Sequence, residues 1–226
     1  MRPISGVIFD LDGTLLDTIE DITAASNRVY AARGLAPFSI AEMKTLVGEG
    51  AEELVRKVFA ARGFPPRTEA EMAGIIRDFR REYEACWRLH SRAYPGVPEL
   101  LAELRRRSIK TAVLSNKAQM FTALMTEEIL APHRFDIIRG SLPGVPLKPD
   151  PAPALAIAAA IGLGPEACAF VGDTSIDMLT ARAAGMSAVG ALWGFRTAEE
   201  LRSGGAEVLA AAPLDILAAL EKKDHR

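Results

Sequence analysis

Two cysteines in 226 residues, Cys86 and Cys168, cannot build a disulfide framework, and neither has neighbours at metal-ligand spacing. Both read as small buried hydrophobes of a reducing compartment, which leaves a thiol nucleophile without support. Also missing is any uninterrupted apolar run long enough to cross a bilayer. The Ala-rich stretches at Ala154–Ile161 and Val208–Ala212 are too short. Met1-Arg2-Pro3-Ile4-Ser5-Gly6 leads straight into an apolar strand, without signal-peptide character. The expectation is therefore a cytoplasmic protein with no membrane partner. Nor is there an excess of one charge: 27 Lys and Arg against 29 Asp and Glu give a formal net charge of -2. Such a chain has no general attraction to nucleic acid, and Arg105-Arg106-Arg107 is explained by a solvated helix face. No internal repeat or low-complexity linker is found, and Lys222–Arg226 reads as a frayed tail.

What is present is the composition of an ordinary globular protein, 49% hydrophobic and 25% charged. Short apolar runs recur: Val7-Ile8-Phe9, Thr111-Ala112-Val113-Leu114, Ala169-Phe170-Val171 and Ser187-Ala188-Val189. Their hydrophobicity is continuous rather than alternating, as in strands buried on both faces of a parallel sheet. Helical patterns at Val97–Arg107, Pro151–Ile161 and Ile176–Ala184 lie between them. The alternation predicts an α/β, doubly wound, Rossmann-like parallel sheet. From Asp17 to Ser91 the pattern is helical throughout. Candidate helices are Ile19–Arg33, Ile40–Leu46, Ala51–Arg62 and Thr68–Arg92, broken by Gly34-Leu35-Ala36-Pro37 and Gly63-Phe64-Pro65-Pro66. The expected organisation is a core of residues 1–16 and 93–226 with a helical domain of residues 17–92 inserted after the first strand. Such an insert is expected over the carboxyl ends of the strands, where open α/β sheets bind ligands.

The first strand runs into Phe9-Asp10-Leu11-Asp12-Gly13-Thr14-Leu15. Two carboxylates at the end of a buried strand need compensation. A hard cation with oxygen ligands supplies it, and Mg²⁺ suits carboxylates combined with phosphate oxygens. Gly13 permits a tight turn whose N–H groups, including that of Thr14, can face an anion. Ser115 ends the second apolar strand, where its hydroxyl can meet phosphate; it could equally serve as a turn or cap residue. Lys148 precedes Pro149 and so lies in an extended segment, placed to neutralise carboxylate and phosphate charge. Asp173 follows a buried strand, and Asp177, four residues on, shares its face. Capping by Thr174 or Ser175, with Asp177 on the helix dipole, is compatible with metal binding by the same acids.

Asp10-Leu11-Asp12-Gly13-Thr14-Leu15 resembles the first motif of the haloacid dehalogenase superfamily, and Leu16-Asp17-Thr18 resembles its phosphatase branch. Leu114-Ser115-Asn116-Lys117, Lys148-Pro149-Asp150-Pro151 and Val171-Gly172-Asp173-Thr174-Ser175-Ile176-Asp177 resemble the second, third and fourth motifs, in order. The resemblance implies a nucleophile at Asp10 and a general acid/base at Asp12. It implies phosphate contacts at Ser115, Asn116, Lys148, Gly13 and Thr14. Mg²⁺ would be held by Asp10, Asp173, the backbone carbonyl of Asp12, and Asp177 directly or through water. The insert resembles the family's small helical cap; Asp17 and Thr18, where it begins, suit a hinge and equally a fixed helix start. Leu46-Val47-Gly48-Glu49-Gly50-Ala51 resembles the substrate loop of phosphoglycolate phosphatases, and Trp193–Leu201 the segment after the fourth motif in that branch. Thr197 and Glu200 could alternatively form a capping box.

The implied activity is Mg²⁺-dependent hydrolysis of a small phosphomonoester through an aspartyl phosphate, with 2-phosphoglycolate foremost. A sugar phosphate, pyrophosphate or nucleotide is the alternative substrate within the phosphatases, and the protein is expected to be a monomer or homodimer. A β-phosphoglucomutase-like phosphotransferase shares all four motifs. A dehalogenase would use the same nucleophile on carbon, but Asp12 and the acidic fourth motif fit phosphate better. A non-enzymatic binding protein could dispense with both Asp10 and Asp12.

Overall fold

Val7, Ile8 and Phe9 are apolar on both faces of the strand they form, so that strand has to lie within a covered sheet. It is strand β1 (Gly6–Phe9), buried along its whole length. The computed structural model describes residues 4–66 and 68–221, so the expected tail Lys222–Arg226 lies outside the described residues. The chain divides into two compact units. One spans Asp17–Arg92; the other takes the chain up to Leu16 and from Ala93 onward. Strands β2 (Leu16–Asp17) and β3 (Arg92–Ala93) pair with each other where the chain leaves and re-enters the β1 unit.

The Asp17–Arg92 unit holds helices α1 (Ile19–Ala31), α2 (Ile40–Leu46), α3 (Ala51–Ala61) and α4 (Glu69–Glu84). Ser39 and Glu42 close a capping box on α2, and Thr68 accepts the Glu71 N–H at the start of α4. Tyr30 packs its ring 5.4 Å from Phe38 and 5.3 Å from Phe59. The helix expected over Thr68–Arg92 stops at Glu84. The reason lies in Asp21 on α1, whose carboxylate is wholly buried and requires several donors. The His90 and Ser91 N–H groups donate to it at 3.0 and 2.8 Å, as does the Ser91 hydroxyl at 2.8 Å; His90 Nδ1 lies 2.9 Å away. Those bonds turn the chain back on itself where the helical pattern would have continued.

The other unit continues through α5 (Val97–Arg106), β4 (Lys110–Ala118), α6 (Gln119–Ile129), β5 (Ile137–Ser141) and α7 (Ala152–Ala160). Then come β6 (Cys168–Gly172), α8 (Ser175–Ala183), β7 (Ser187–Ala191), α9 (Ala198–Gly204), β8 (Val208–Ala210) and α10 (Asp215–Glu221). The strands form one six-stranded parallel sheet in the order β5-β4-β1-β6-β7-β8. Ile8 sits in register with Ala112 on one side and Phe170 on the other. Ile8, Leu114, Phe170, Met178 and Leu201 belong to one buried core. The order reverses between β1 and β6, so the carboxyl ends of these strands flank the crevice that doubly wound sheets use for ligands. Strands β5 and β8, at the two edges, and helix α6 go beyond the elements expected from sequence. Among the described residues no helix is long and apolar enough to cross a membrane.

Candidate active site

β1 ends at Phe9, and the Asp10 amide continues its ladder by donating to Val171 O at 2.9 Å. The Asp10 side chain therefore projects from the strand end beside β6, only 6% of the residue remaining exposed. Lys148 Nζ lies 2.8 Å from Asp10 Oδ1 and 2.7 Å from Asp177 Oδ1. Asn116 positions that lysine through its main chain: the Lys148 N–H donates to Asn116 Oδ1 at 2.9 Å, and Asn116 Nδ2 donates to Lys148 O at 3.1 Å.

β6 delivers Asp173, and the first turn of α8 delivers Asp177. Asp177 Oδ2 accepts the Thr174 N–H at 3.0 Å and its hydroxyl at 2.8 Å, so it caps its own helix while pairing with Lys148. Asp173 accepts from the Thr14 hydroxyl at 3.1 Å and the Phe195 N–H at 2.8 Å. Trp193 Nε1 donates to Thr14 O at 2.9 Å, tying the loop after β7 to the turn after β1. These approaches need glycine. A Cβ on Gly13, whose φ is +87°, would strike the Asp173 carboxylate, and one on Gly194 would strike Asp173 Cβ and Gly13 O.

Asp10, Asp173 and Asp177 each offer an oxygen, and these atoms lie within 4.8 Å of one another. Three buried carboxylates against the single ammonium of Lys148 leave negative charge uncompensated. Burial is the first cause pushing the Asp10 carboxyl up to about 6; Lys148 opposes the rise and Asp177 adds to it. Burial likewise drives Asp173 well above the usual carboxylate range, reinforced by Asp177 and Asp10. Burial works against charge on Lys148, but Asp10 and Asp177 outweigh it and raise its pKa. Asp10 Oδ1, despite its ion pair, receives no properly directed hydrogen bond. An all-oxygen cluster with surplus negative charge fits a hard divalent cation.

Asp12 points elsewhere. Lys117 Nζ lies 3.1 Å from its Oδ1 and 3.0 Å from its Oδ2, so its carboxylate is engaged away from the three-acid cluster. Ser115, 5% exposed, accepts the Lys117 N–H at 3.3 Å, which leaves its O–H to donate. Gly13 and Thr14 do not present amides to an anion as their turn suggested. Gly13 N donates to Leu16 O at 2.8 Å and Thr14 N to Leu11 O at 3.3 Å, because the loop closes its own backbone bonds. Their part is to support Asp173. Asn116 likewise holds the lysine rather than standing open to ligand. Lys117 and the Phe195 N–H are the members that sequence reasoning passed over. The signal for Lys117 was a lysine directly following a buried strand's Ser-Asn.

Residues 7–191 match the haloacid dehalogenase-like hydrolase family. The chain is 32% identical over 200 residues to a phosphoglycolate phosphatase of Xanthomonas campestris pv. campestris, covering 88% of each chain. It is 34% identical over 194 residues to a phosphoglycolate phosphatase of Xylella fastidiosa, covering 86% of this chain and 82% of that one. A solved structure from Lactobacillus delbrueckii subsp. bulgaricus, provisionally named a phosphoglycolate phosphatase, superposes with a TM-score of 0.91 at 27% identity, covering 98% of this chain and 100% of that one. With four motifs meeting at the end of β1 and the match running from Val7 to Ala191, the chain belongs to the haloacid dehalogenase-like hydrolases.

Proposed function

We propose that the protein is a Mg²⁺-dependent phosphomonoesterase acting on 2-phosphoglycolate through an aspartyl phosphate on Asp10. The observation that carries the reading is the buried Asp10 carboxylate, ion-paired to Lys148 and grouped with Asp173 and Asp177. The relatives' names support the choice of substrate.

A phosphomonoester dianion repels a carboxylate nucleophile, so catalysis of its transfer is mainly positioning and charge neutralisation. Asp10, paired with the Lys148 ammonium, can attack phosphorus as its carboxylate. Lys148, kept charged by its two carboxylates, neutralises Asp10 and one phosphate oxygen together. The Ser115 hydroxyl donates to another. As the P–O ester bond breaks, Asp12 gives its proton to the departing alkoxide. Water then attacks the aspartyl phosphate, its proton passes to Asp12, and inorganic phosphate leaves with the Asp10 carboxylate restored. Mg²⁺, held by Asp10, Asp173, Asp177 and the Asp12 carbonyl, would screen the negative charge of the transferring phosphoryl group. The Asp17–Arg92 unit is assigned as the family's cap, with Leu46–Ala51 as its substrate loop.

The test is phosphate release from a panel of small phosphomonoesters, with Mg²⁺ and with EDTA. Mg²⁺-dependent preference for 2-phosphoglycolate, absent in Asp10→Asn, supports the reading. Preference for another ester replaces the substrate, and isomerisation of a hexose 1-phosphate without net hydrolysis replaces the reaction.

A further inference from the structure

Asp12 is the proposed proton donor to the leaving alkoxide, yet both of its carboxylate oxygens face Lys117 Nζ, at 3.1 and 3.0 Å. The two lysines of the site are placed differently. Lys148, its side chain 1% exposed, lies between Asp10 and Asp177 and belongs to the phosphoryl centre. The Lys117 and Asp12 side chains are 9% and 13% exposed, so this pair forms the more open side. Lys117 is also anchored from behind, its N–H donating to Ser115 Oγ at 3.3 Å. Its ammonium is thus held beside the carboxylate proposed to protonate the leaving oxygen.

The chemistry of a carboxylate-bearing phosphomonoester then decides what this ammonium meets. In 2-phosphoglycolate the carbon bonded to the ester oxygen also bears the carboxylate. A cation resting on both Asp12 oxygens is therefore within reach of that carboxylate whenever Asp12 can reach the ester oxygen. Substrate carboxylate and Asp12 compete for one ammonium. We propose that Lys117 is the specificity residue that binds the substrate's carboxylate, and that its transfer from Asp12 leaves Asp12 free to pass to the ester oxygen the proton it took from water in the preceding turnover. An ester without the carboxylate leaves Lys117 on Asp12, so it binds more weakly and positions the proton donor less well. The inference rests on the phosphoglycolate reading and adds to it the residue that recognises the acid.

The experiment compares 2-phosphoglycolate with 2-hydroxyethyl phosphate, which carries CH₂OH in place of the carboxylate, in wild type, Lys117→Met and Lys117→Arg. The ratio of the two kcat/KM values from one preparation does not depend on how much of the protein is folded. Wild type should favour 2-phosphoglycolate, and Lys117→Met should lower the ratio about 10- to 100-fold, chiefly through KM for the acid. Lys117→Arg, which keeps the charge, should recover part of it. A ratio that Lys117→Met leaves at the wild-type value overturns the role of Lys117 and leaves the phosphoglycolate reading standing. A wild type with no preference for the acid overturns both.

Discussion

Asn116 holds both main-chain polar groups of Lys148, accepting its N–H at 2.9 Å and donating to its carbonyl at 3.1 Å. The strand that carries Ser115 therefore also fixes the lysine that pairs with Asp10. Without Asn116 the Lys148 peptide loses two buried partners while the ammonium keeps its carboxylates. Asn116→Ala is expected to cost about 1–3 kcal/mol of stability. It should also lower kcat/KM by more than that loss explains at a temperature where the variant is fully folded. Urea unfolding and steady-state kinetics on the same sample separate the two effects. Unaltered kinetics would mean that Lys148 is held by its ion pairs alone.

Asp10→Asn keeps the shape of the side chain and removes the nucleophilic oxygen's charge. Turnover of phosphomonoesters should fall at least about 1,000-fold while the thermal unfolding transition remains cooperative. A folded Asp10→Asn protein with appreciable turnover would move the nucleophile elsewhere.

The three acids Asp10, Asp173 and Asp177 repel one another in the absence of a cation. Mg²⁺ at a hundredfold excess over its Kd should stabilise the fold by about 2.7 kcal/mol, and EDTA should reverse this. Asp173→Asn should weaken the effect strongly. So should Gly194→Ala, whose methyl would displace Asp173 without removing a ligand. Calorimetric titration with Mg²⁺ gives a readout independent of turnover, and full affinity in both variants would take Asp173 out of the ligand set.

Burial works against the charge on Asp21, but the bonds from His90 and Ser91 outweigh it and hold its carboxyl below the usual range. The sign follows from proton binding: the unfolded chain takes up this proton at a higher pH than the native one. The stabilisation is thus complete above about pH 4, the ordinary carboxyl value, and is lost as pH falls through the lower native value. Asp21→Asn should destabilise by about 1–3 kcal/mol at pH 7, and the gap to wild type should narrow below about pH 4. Chemical denaturation across pH 3–7 checks this, and a gap independent of pH would contradict it.

Much of the fold was legible because the buried strands announce themselves locally. Val7–Phe9, Thr111–Leu114, Ala169–Val171 and Ser187–Val189 are apolar on both faces, and all four lie inside strands of the sheet. Edge strands carry no such signature. Ile137–Ser141 is mostly half-buried, and Val208–Ala210 has three residues. The helical pattern past Glu84 was a sound local reading overruled by a distant carboxylate, since Asp21 lies 69 and 70 residues from the groups it captures.

By itself the sequence determined the α/β class and the identity of the acids, because burial periodicity and the one-turn spacing of Asp173 and Asp177 are local properties. Which charges meet was decided only in three dimensions. Lys117 and Asp12 are 105 residues apart, and they pair because β4 lies beside β1 in the sheet. The amides of Gly13 and Thr14 were likewise assigned by the closed loop and not by the motif that contains them. A string of residues records what each side chain can do, whereas strand order and register select the partner that makes it do so.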